Sequence, residues 1–482
     1  MLSRFRKFFA DRIARRKTAP AAGGAPEPPP ELPAPAAPEE ADRVLPAISL
    51  ADIDPDAIKV VRRLVRHSHT AYLVGGCVRD LLLGRRPKDF DISTSATPRE
   101  IKSLFRNSRI IGRRFKLAHV FFRPPGGEGR EKIIEVSTFR ALQEEGEDGD
   151  DLLIRRDNVF GTPEEDARRR DFTVNALFYD LEAREVIDHA SGLPDLHRGL
   201  LRTIGDPDIR LREDPVRILR AIKFAARLDF KIEPATLAAM RAHRADIPRC
   251  PAPRILEELL RILRSGSAVS AFALLGESRV LEVLLPEIDQ ALARDLSRVE
   301  LYHGILAEFD RRVAAGDEID AAVLLASLFL PLMPWQGEAG PGGLDLPGAV
   351  TAVFAPVAER LRVSRRDSDA VRRILLSIRK MVPGYRAKRF SRSGLARRGY
   401  FPGLLQVFDI HCRATGRWHE TVRQWEELAR QYPPEPDRHT GPRRGRRRGG
   451  AAPGRSRQDR RGGRTAGRGG ARRRRRPRSG DG

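Results

Sequence analysis

Leu73-Val74-Gly75-Gly76-Cys77-Val78-Arg79-Asp80-Leu81-Leu82-Leu83-Gly84, followed by Lys88-Asp89-Phe90-Asp91, is the stretch whose reading decides the fold. Tyr72 to Val74 is a short apolar strand, the glycine pair lets the backbone turn close to a ligand, and Cys77 to Leu83 has the spacing of a short amphipathic helix. Such a strand, turn and helix can present backbone N–H groups to phosphate. Phe90, Ile92 and Thr94 favour a second strand. Residues two apart in a strand share a face, so Asp89 and Asp91 point together while Phe90 points into the core. Two carboxylates on one face suit Mg²⁺, which keeps positions for waters and phosphate oxygens. An Asp-x-Asp pair alone is common on solvated surfaces; the ordered set around it gives it meaning.

Two later clusters extend the pattern. In Arg168-Arg169-Arg170-Asp171-Phe172-Thr173-Val174-Asn175-Ala176-Leu177, the charged residues taken alone would read as a solvated helix end. In Arg212-Glu213-Asp214-Pro215-Val216-Arg217 and onward to Leu228, Asp214 is read as the cap of a helix with Pro215 in its first turn. Val216, Leu219 and the Ile222/Phe224 region form its buried stripe. Asp214 and Arg217 fall three apart on one face, with Arg220 and Lys223 in the following turns.

Taken in order, these motifs resemble the nucleotidyltransferase superfamily that contains bacterial poly(A) polymerases and tRNA CCA-adding enzymes. The resemblance runs from about Ala71 to about Gly266. It implies an α+β architecture: a polymerase-β-like palm as the catalytic head, followed by all-α neck and body domains. It also implies Asp89 and Asp91 as ligands of Mg²⁺ or Mn²⁺, with Asp171 completing the catalytic carboxylates. Gly75, Gly76, Arg79 and Arg170 would hold the nucleotide, Asp214 and Arg217 would read its base, and Arg220 and Lys223 would reach its triphosphate. Asn175 would buttress the strand. Glu135 competes for the third-carboxylate place, because a charge inside the apolar strand Ile133 to Val136 needs a partner or a metal; a salt bridge to Arg140 is the other reading. Chemistry limits what the base-reading pair accepts. A carboxylate accepts from an exocyclic amine and a guanidinium donates to the adjacent ring nitrogen, an edge that adenine and cytosine share and that uracil and guanine lack.

That pair does not separate poly(A) addition from CCA addition. The segment Leu104 to Asn107, then Ile110 to Val120, resembles bacterial poly(A) polymerases, whereas CCA-adding enzymes usually carry a shorter strand with Gly-Thr there. An acidic insertion, Glu144 to Asp151, follows, and no His-Asp dipeptide occurs, so an appended His-Asp phosphohydrolase domain is not expected. The expected activity is therefore template-independent addition of AMP from ATP to RNA 3′ ends. CCA addition to tRNA is the alternative, and a non-catalytic RNA-binding protein on the same fold is the third reading. Asp188-His189-Ala190-Ser191-Gly192 departs from the family, which usually has an aromatic residue and a second glycine there.

The chain has 482 residues and a formal charge of +24, concentrated at its ends. Residues 1–17 carry +6, residues 438–482 carry +16, and the long middle is left with +2. The C-terminal Arg/Gly/Pro/Ser tail cannot bury enough apolar surface to order itself, and such segments suit RNA phosphates and base faces. The expected divisions are a basic N-terminus and Ala/Pro-rich linker over 1–46, the head over 47–190, a helical neck over 191–270, a helical RNA-binding body over 271–433 and a disordered tail over 434–482. The longest apolar run, Ala321 to Trp335, is interrupted by Pro331 and Pro334 and too short to span a bilayer, so it reads as a core helix. Cys77, Cys250 and Cys412 lie far apart and suggest neither zinc nor disulfides, which makes a reducing cytoplasm the expected compartment. A monomer is expected.

Overall fold

The computed structural model describes residues 45–112, 116–123, 131–141, 159–335, 345–387 and 389–434. Both basic termini, Arg113 and Arg114 and the acidic insertion at 144–151 lie outside the described residues.

The first helix, Pro55–Arg66 (α1), starts where Asp54 accepts from the Asp56 N–H and Pro55 fixes the first turn, and it buries Val60, Val61 and Leu64. Strand Ala71–Val74 (β1) leads into the short helix Gly76–Leu82 (α2), and Asp91–Thr94 (β2) follows. Helix Pro98–Leu104 (α3) opens with a reciprocal Thr97/Glu100 cap. Strands Ser108–Ile111 (β3), Leu117–Phe122 (β4) and Lys132–Thr138 (β5) come next, then helix Pro163–Arg168 (α4). Strands Leu177–Asp180 (β6) and Glu185–Asp188 (β7) complete a seven-stranded sheet in the order β3-β4-β5-β2-β1-β6-β7.

Only β2 and β5 run parallel in this sheet; the other neighbours are antiparallel. The β2 strand that carries Asp91 therefore lies mid-sheet, with β1 and β6 on one side and β5, β4 and β3 on the other. Alternation along the strands buries Leu73, Ile92, Ala118, Val120, Ile134 and Val136 against α1 and its neighbours. The opposite face is left for the site, apart from a small cluster of Val74, Phe139, Ala167, Ala176, Phe178 and Ile204 over β1 and β6.

After the sheet the described residues are helical, as the pattern predicts, apart from the two-residue strands Leu200–Leu201 (β8) and Lys231–Ile232 (β9). Gly192–Arg198 (α5), Pro207–Glu213 (α6), Val216–Leu228 (α7), Pro234–Ala242 (α8) and Ala252–Leu263 (α9) adjoin the head. The long helix Leu296–Ala314 then packs on Phe401–Thr415, and the apolar run forms the buried helix Ala321–Phe329. No helix among the described residues is long and apolar enough to cross a membrane.

Two local expectations are corrected. Asp214 does not cap α7: the N-cap is Pro215, with no side-chain capping bond, and Asp214 is the C-cap of α6. Strand β3 was not foreseen, because its Ile110 and Ile111 are both exposed on an edge strand and show no alternation. The departure at Asp188–Gly192 still makes a tight turn. Asp188 accepts from the N–H groups of Ala190, Gly192 and Leu193, and Ser191 takes a left-handed φ of 59°.

Candidate active site

Gly75, Gly76, Arg79, Asp89, Asp91, Arg170, Asp171, Asp214, Arg217 and Arg220 line one cleft of about 620 Å³ between the open sheet face, α2 and the helices α6, α7 and α9. The elements that deliver them differ. Gly75 ends β1 with a φ of 75°, and its N–H donates to the Leu177 carbonyl (2.9 Å). A Cβ there would lie 2.9 Å from Arg170 Nη1, so glycine is needed both for the turn and for the room Arg170 occupies. Asp91 opens β2 and is half-buried; Asp89 lies in the loop before the strand and is exposed, yet both face the cleft.

Across the parallel pair, Glu135 of β5 stands beside Asp91 in register. Burial first, then Glu135 and Asp89, push the Asp91 carboxyl up to about 6 against the pull of Arg170. Crowded carboxylates of this kind favour a cation. Among the described residues no three His, Cys, Asp or Glu side chains are gathered closely enough to hold an ion unaided. A two-carboxylate site completed by waters and phosphate oxygens is what Mg²⁺ accepts, so the residues fit that ion. Glu135 meets His119, whose Nε2 lies 3.4 Å from Glu135 Oε1.

Asp171 is placed differently. Arg220 Nε and Nη2 reach its Oδ2 at 2.7 and 2.6 Å, while Asn175 Nδ2 and the Phe172 N–H donate to Oδ1 at 3.1 and 2.9 Å. Burial alone would raise this carboxyl; Arg220, Asn175 and Arg217 outweigh it and hold it below the usual range. Arg79 is almost wholly buried, donating from Nε and Nη2 to Asp80 Oδ1 (2.9 and 2.6 Å) and from Nη1 to Asn175. Arg227 adds a bond to Asp80 Oδ2 at 2.9 Å. A continuous hydrogen-bonded chain thus runs Arg227, Asp80, Arg79, Asn175, Asp171, Arg220, joining α2, the segment before β6 and α7 along one wall of the cleft.

The remaining arginines are also held from behind. Arg170 donates from Nη2 to Asp166 (3.0 Å) and Ser93 (3.2 Å) and lies over the Phe178 ring, and its Nε is buried with no hydrogen-bond partner among the described residues. Arg217 is fixed by Glu213 (2.9 Å) and the Arg210 carbonyl (2.7 Å), and Asp214 by Arg254 (2.9 Å). Burial, then the guanidiniums of Arg140, Arg210 and Arg217, push Arg169 down to about 10. Arginines outnumber carboxylates in the cleft lining, and their mutual repulsion is what a polyphosphate would relieve. Lys223, expected beside Arg220, is tied to Glu258 (2.7 Å) and does not line the cleft. Arg140, Arg210 and Arg254 were not foreseen as cleft residues, because tertiary packing and no local motif brings them there.

A carboxylate pair at the start of a mid-sheet strand, a glycine turn and an arginine-lined cleft are the arrangement that the sequence resemblance implies for a nucleotidyltransferase head. Comparison with known proteins agrees. The family model described as "Poly A polymerase head domain" matches residues 71–202, and "Probable RNA and SrmB- binding site of polymerase A" matches residues 229–292. Poly(A) polymerase I of Salmonella typhi is 41% identical over 292 residues, 59% of this chain and 61% of that protein. The CCA-adding enzyme of Lactobacillus helveticus is 35% identical over 235 residues, 48% of this chain and 56% of that protein. The fold is shared with the crystal structure of Bacillus stearothermophilus CCA-adding enzyme in complex with CTP, at a TM-score of 0.57 and 24% identity over 79% of this chain and 82% of that one. The match spans about three fifths of the length of the curated poly(A) polymerases. Over these stretches the chain is similar to bacterial poly(A) polymerases and CCA-adding enzymes.

Proposed function

We propose that the protein transfers AMP from ATP to the 3′-hydroxyl of RNA, releasing diphosphate. The observation that carries this is the juxtaposition of Asp89, Asp91 and Glu135 with an arginine-lined cleft whose cations are already fixed in place. Mg²⁺ or Mn²⁺ on Asp89 and Asp91 would supply the charge that activates the hydroxyl and steadies the α-phosphate. Arg170 and Arg220 grip the triphosphate, and Gly75 and Gly76 let the backbone approach it. Asp171 acts through Arg220 and Asn175, holding both donors in position. Asp214 and Arg217, each held by a second residue, present a fixed acceptor and donor to the amine-bearing edge of adenine. Similarity to poly(A) polymerase I supports ATP and general RNA over CTP and tRNA. The division into head (47–190), neck (191–270) and body (271–433) is proposed with it, as is a monomer acting in the cytoplasm.

The test is to incubate the full chain with Mg²⁺, one triphosphate at a time, and either generic RNA or tRNA lacking its 3′ CCA. Growth of generic RNA with ATP, and little with GTP or UTP, is expected. Growth confined to tRNA, with CTP used before ATP, would overturn the reading.

A further inference from the structure

Four adjacent strands place a row of side chains in register on one face of the head sheet. Asp91 of β2 pairs with Glu135 of β5, Glu135 with His119 of β4, and His119 with Arg109 of β3. The residues between them, Ile92, Ala118, Val120, Ile134 and Val136, are buried in the core, so the row faces away from it. One row further out, Phe121 stands opposite Ile133, which is 39% exposed. Phe122 packs on the core, whereas Phe121, among the described residues, joins neither hydrophobic cluster. The His119 and Phe121 rings meet edge-on with centroids 6.3 Å apart, and the Arg109 guanidinium lies 5.5 Å from the centre of the Phe121 ring.

The order of the sheet says what this shelf is for. Of the groups placed on the triphosphate, Gly75 and Gly76 follow β1 and Arg170 precedes β6, on one side of the β2 carboxylates, while Arg220 comes from α7. In an in-line displacement the attacking hydroxyl and the leaving diphosphate stand on opposite sides of the phosphorus. The acceptor must then approach from the other side of β2, over β5, β4 and β3. We infer that Phe121 and His119 form the platform on which the 3′-terminal nucleoside of the acceptor RNA stacks, with Arg109 meeting its backbone phosphate. Stacking on a ring tolerates any base, which fits an acceptor not chosen by sequence, and the half-buried ring is fixed before RNA arrives. This rests on RNA being the acceptor, as proposed above.

The experiment uses the full chain and a generic RNA oligonucleotide carrying 2-aminopurine at its 3′ end or at an internal position, alongside turnover with ATP. The terminal fluorophore should be quenched on binding and the internal one much less. Phe121→Ala should abolish the terminal quench and raise KM for RNA about tenfold while moving KM for ATP less than about twofold, and Phe121→Trp should restore both. Arg109→Ala, an exposed change, should raise KM for RNA in the same selective way. Unchanged quench and KM for RNA in a folded Phe121→Ala protein would overturn the inference, as would an equal rise in KM for ATP. If Phe121→Ala does not fold, an unaltered KM for RNA in Arg109→Ala overturns it. If the unsubstituted protein transfers no AMP, the proposed function falls, and the quench decides this inference by itself: a terminal quench that depends on Phe121 upholds it, and its absence overturns it.

Discussion

The Asp91 carboxyl, pushed up to about 6 by burial, Glu135 and Asp89, makes the cleft's response to cations depend on pH. In the unfolded chain the group returns to its ordinary value of 3.8. A raised acid in the folded state means that the protein binds the extra proton, so this contribution to stability is present below about 4 and is lost as pH rises to about 6. Above that range the carboxylate is held ionised against its neighbours, and a divalent cation relieves the repulsion. Mg²⁺ should therefore raise the melting temperature at about pH 7.5 and leave it unchanged near pH 5. Glu135→Gln removes one of the groups that push Asp91 up, and should shift the onset of the Mg²⁺ effect to lower pH; an unmoved onset would show that Glu135 does not bear on Asp91. Asp89→Ala or Asp91→Ala should lower AMP transfer by on the order of 10³-fold with little change in melting, read by labelled-ATP incorporation. The two aspartates were legible from the ordered motif around them, although Asp89 lies in the loop before β2 and strand period does not place it. Glu135 was legible only as a charge in an apolar strand, since its place beside Asp91 comes from a parallel pairing across more than forty residues that no local pattern encodes.

Among the elements, the start of α7 separates base reading from helix capping. Asp214 makes no capping bond but holds Arg254 at 2.9 Å, so Asp214→Ala should scarcely alter the melting curve while ATP loses its advantage over GTP and UTP by about tenfold, the scale of one charge-assisted hydrogen bond. A large drop in melting temperature with unaltered selectivity would return Asp214 to a structural role. At the end of β7, Ser191 holds a left-handed backbone that glycine adopts at lower cost, so Ser191→Gly should raise stability by up to about 1 kcal/mol in denaturant titration. A capping side chain followed by Pro does start helices in this chain, at Asp54 and Thr97. The α7 cap was misread because Asp-Pro fits the same signature, while here the preceding helix ends on that Asp and turns its carboxylate toward α9.

Across the described residues, the core continues from Ile53, just before α1, to Trp425 in the helix His419–Gln431, which gives the cleft walls a common support. The charge is arranged otherwise: the middle of the chain is close to neutral and the excess sits in the terminal segments outside the described residues. Deleting residues 438–482 should weaken RNA binding and flatten its fall with salt, while turnover at saturating RNA stays the same. Equal slopes for the full and shortened chains would assign the tail a role away from RNA. The α+β head and helical remainder were legible through the resemblance of the ordered motifs, and so were Arg79, Arg170, Arg217 and Arg220, whereas Arg140, Arg210 and Arg254 were not, because they reach the cleft from segments outside those motifs' readings. The central claim is that this cleft adds adenylate repeatedly to RNA without reading a template. Its most direct test is to give the full chain Mg²⁺, all four triphosphates together and a mixture of generic RNA and tRNA lacking CCA, and then to sequence the added 3′ residues. The account predicts runs of adenylate longer than three nucleotides on the generic RNA; additions that stop at CCA, on tRNA alone, would contradict it.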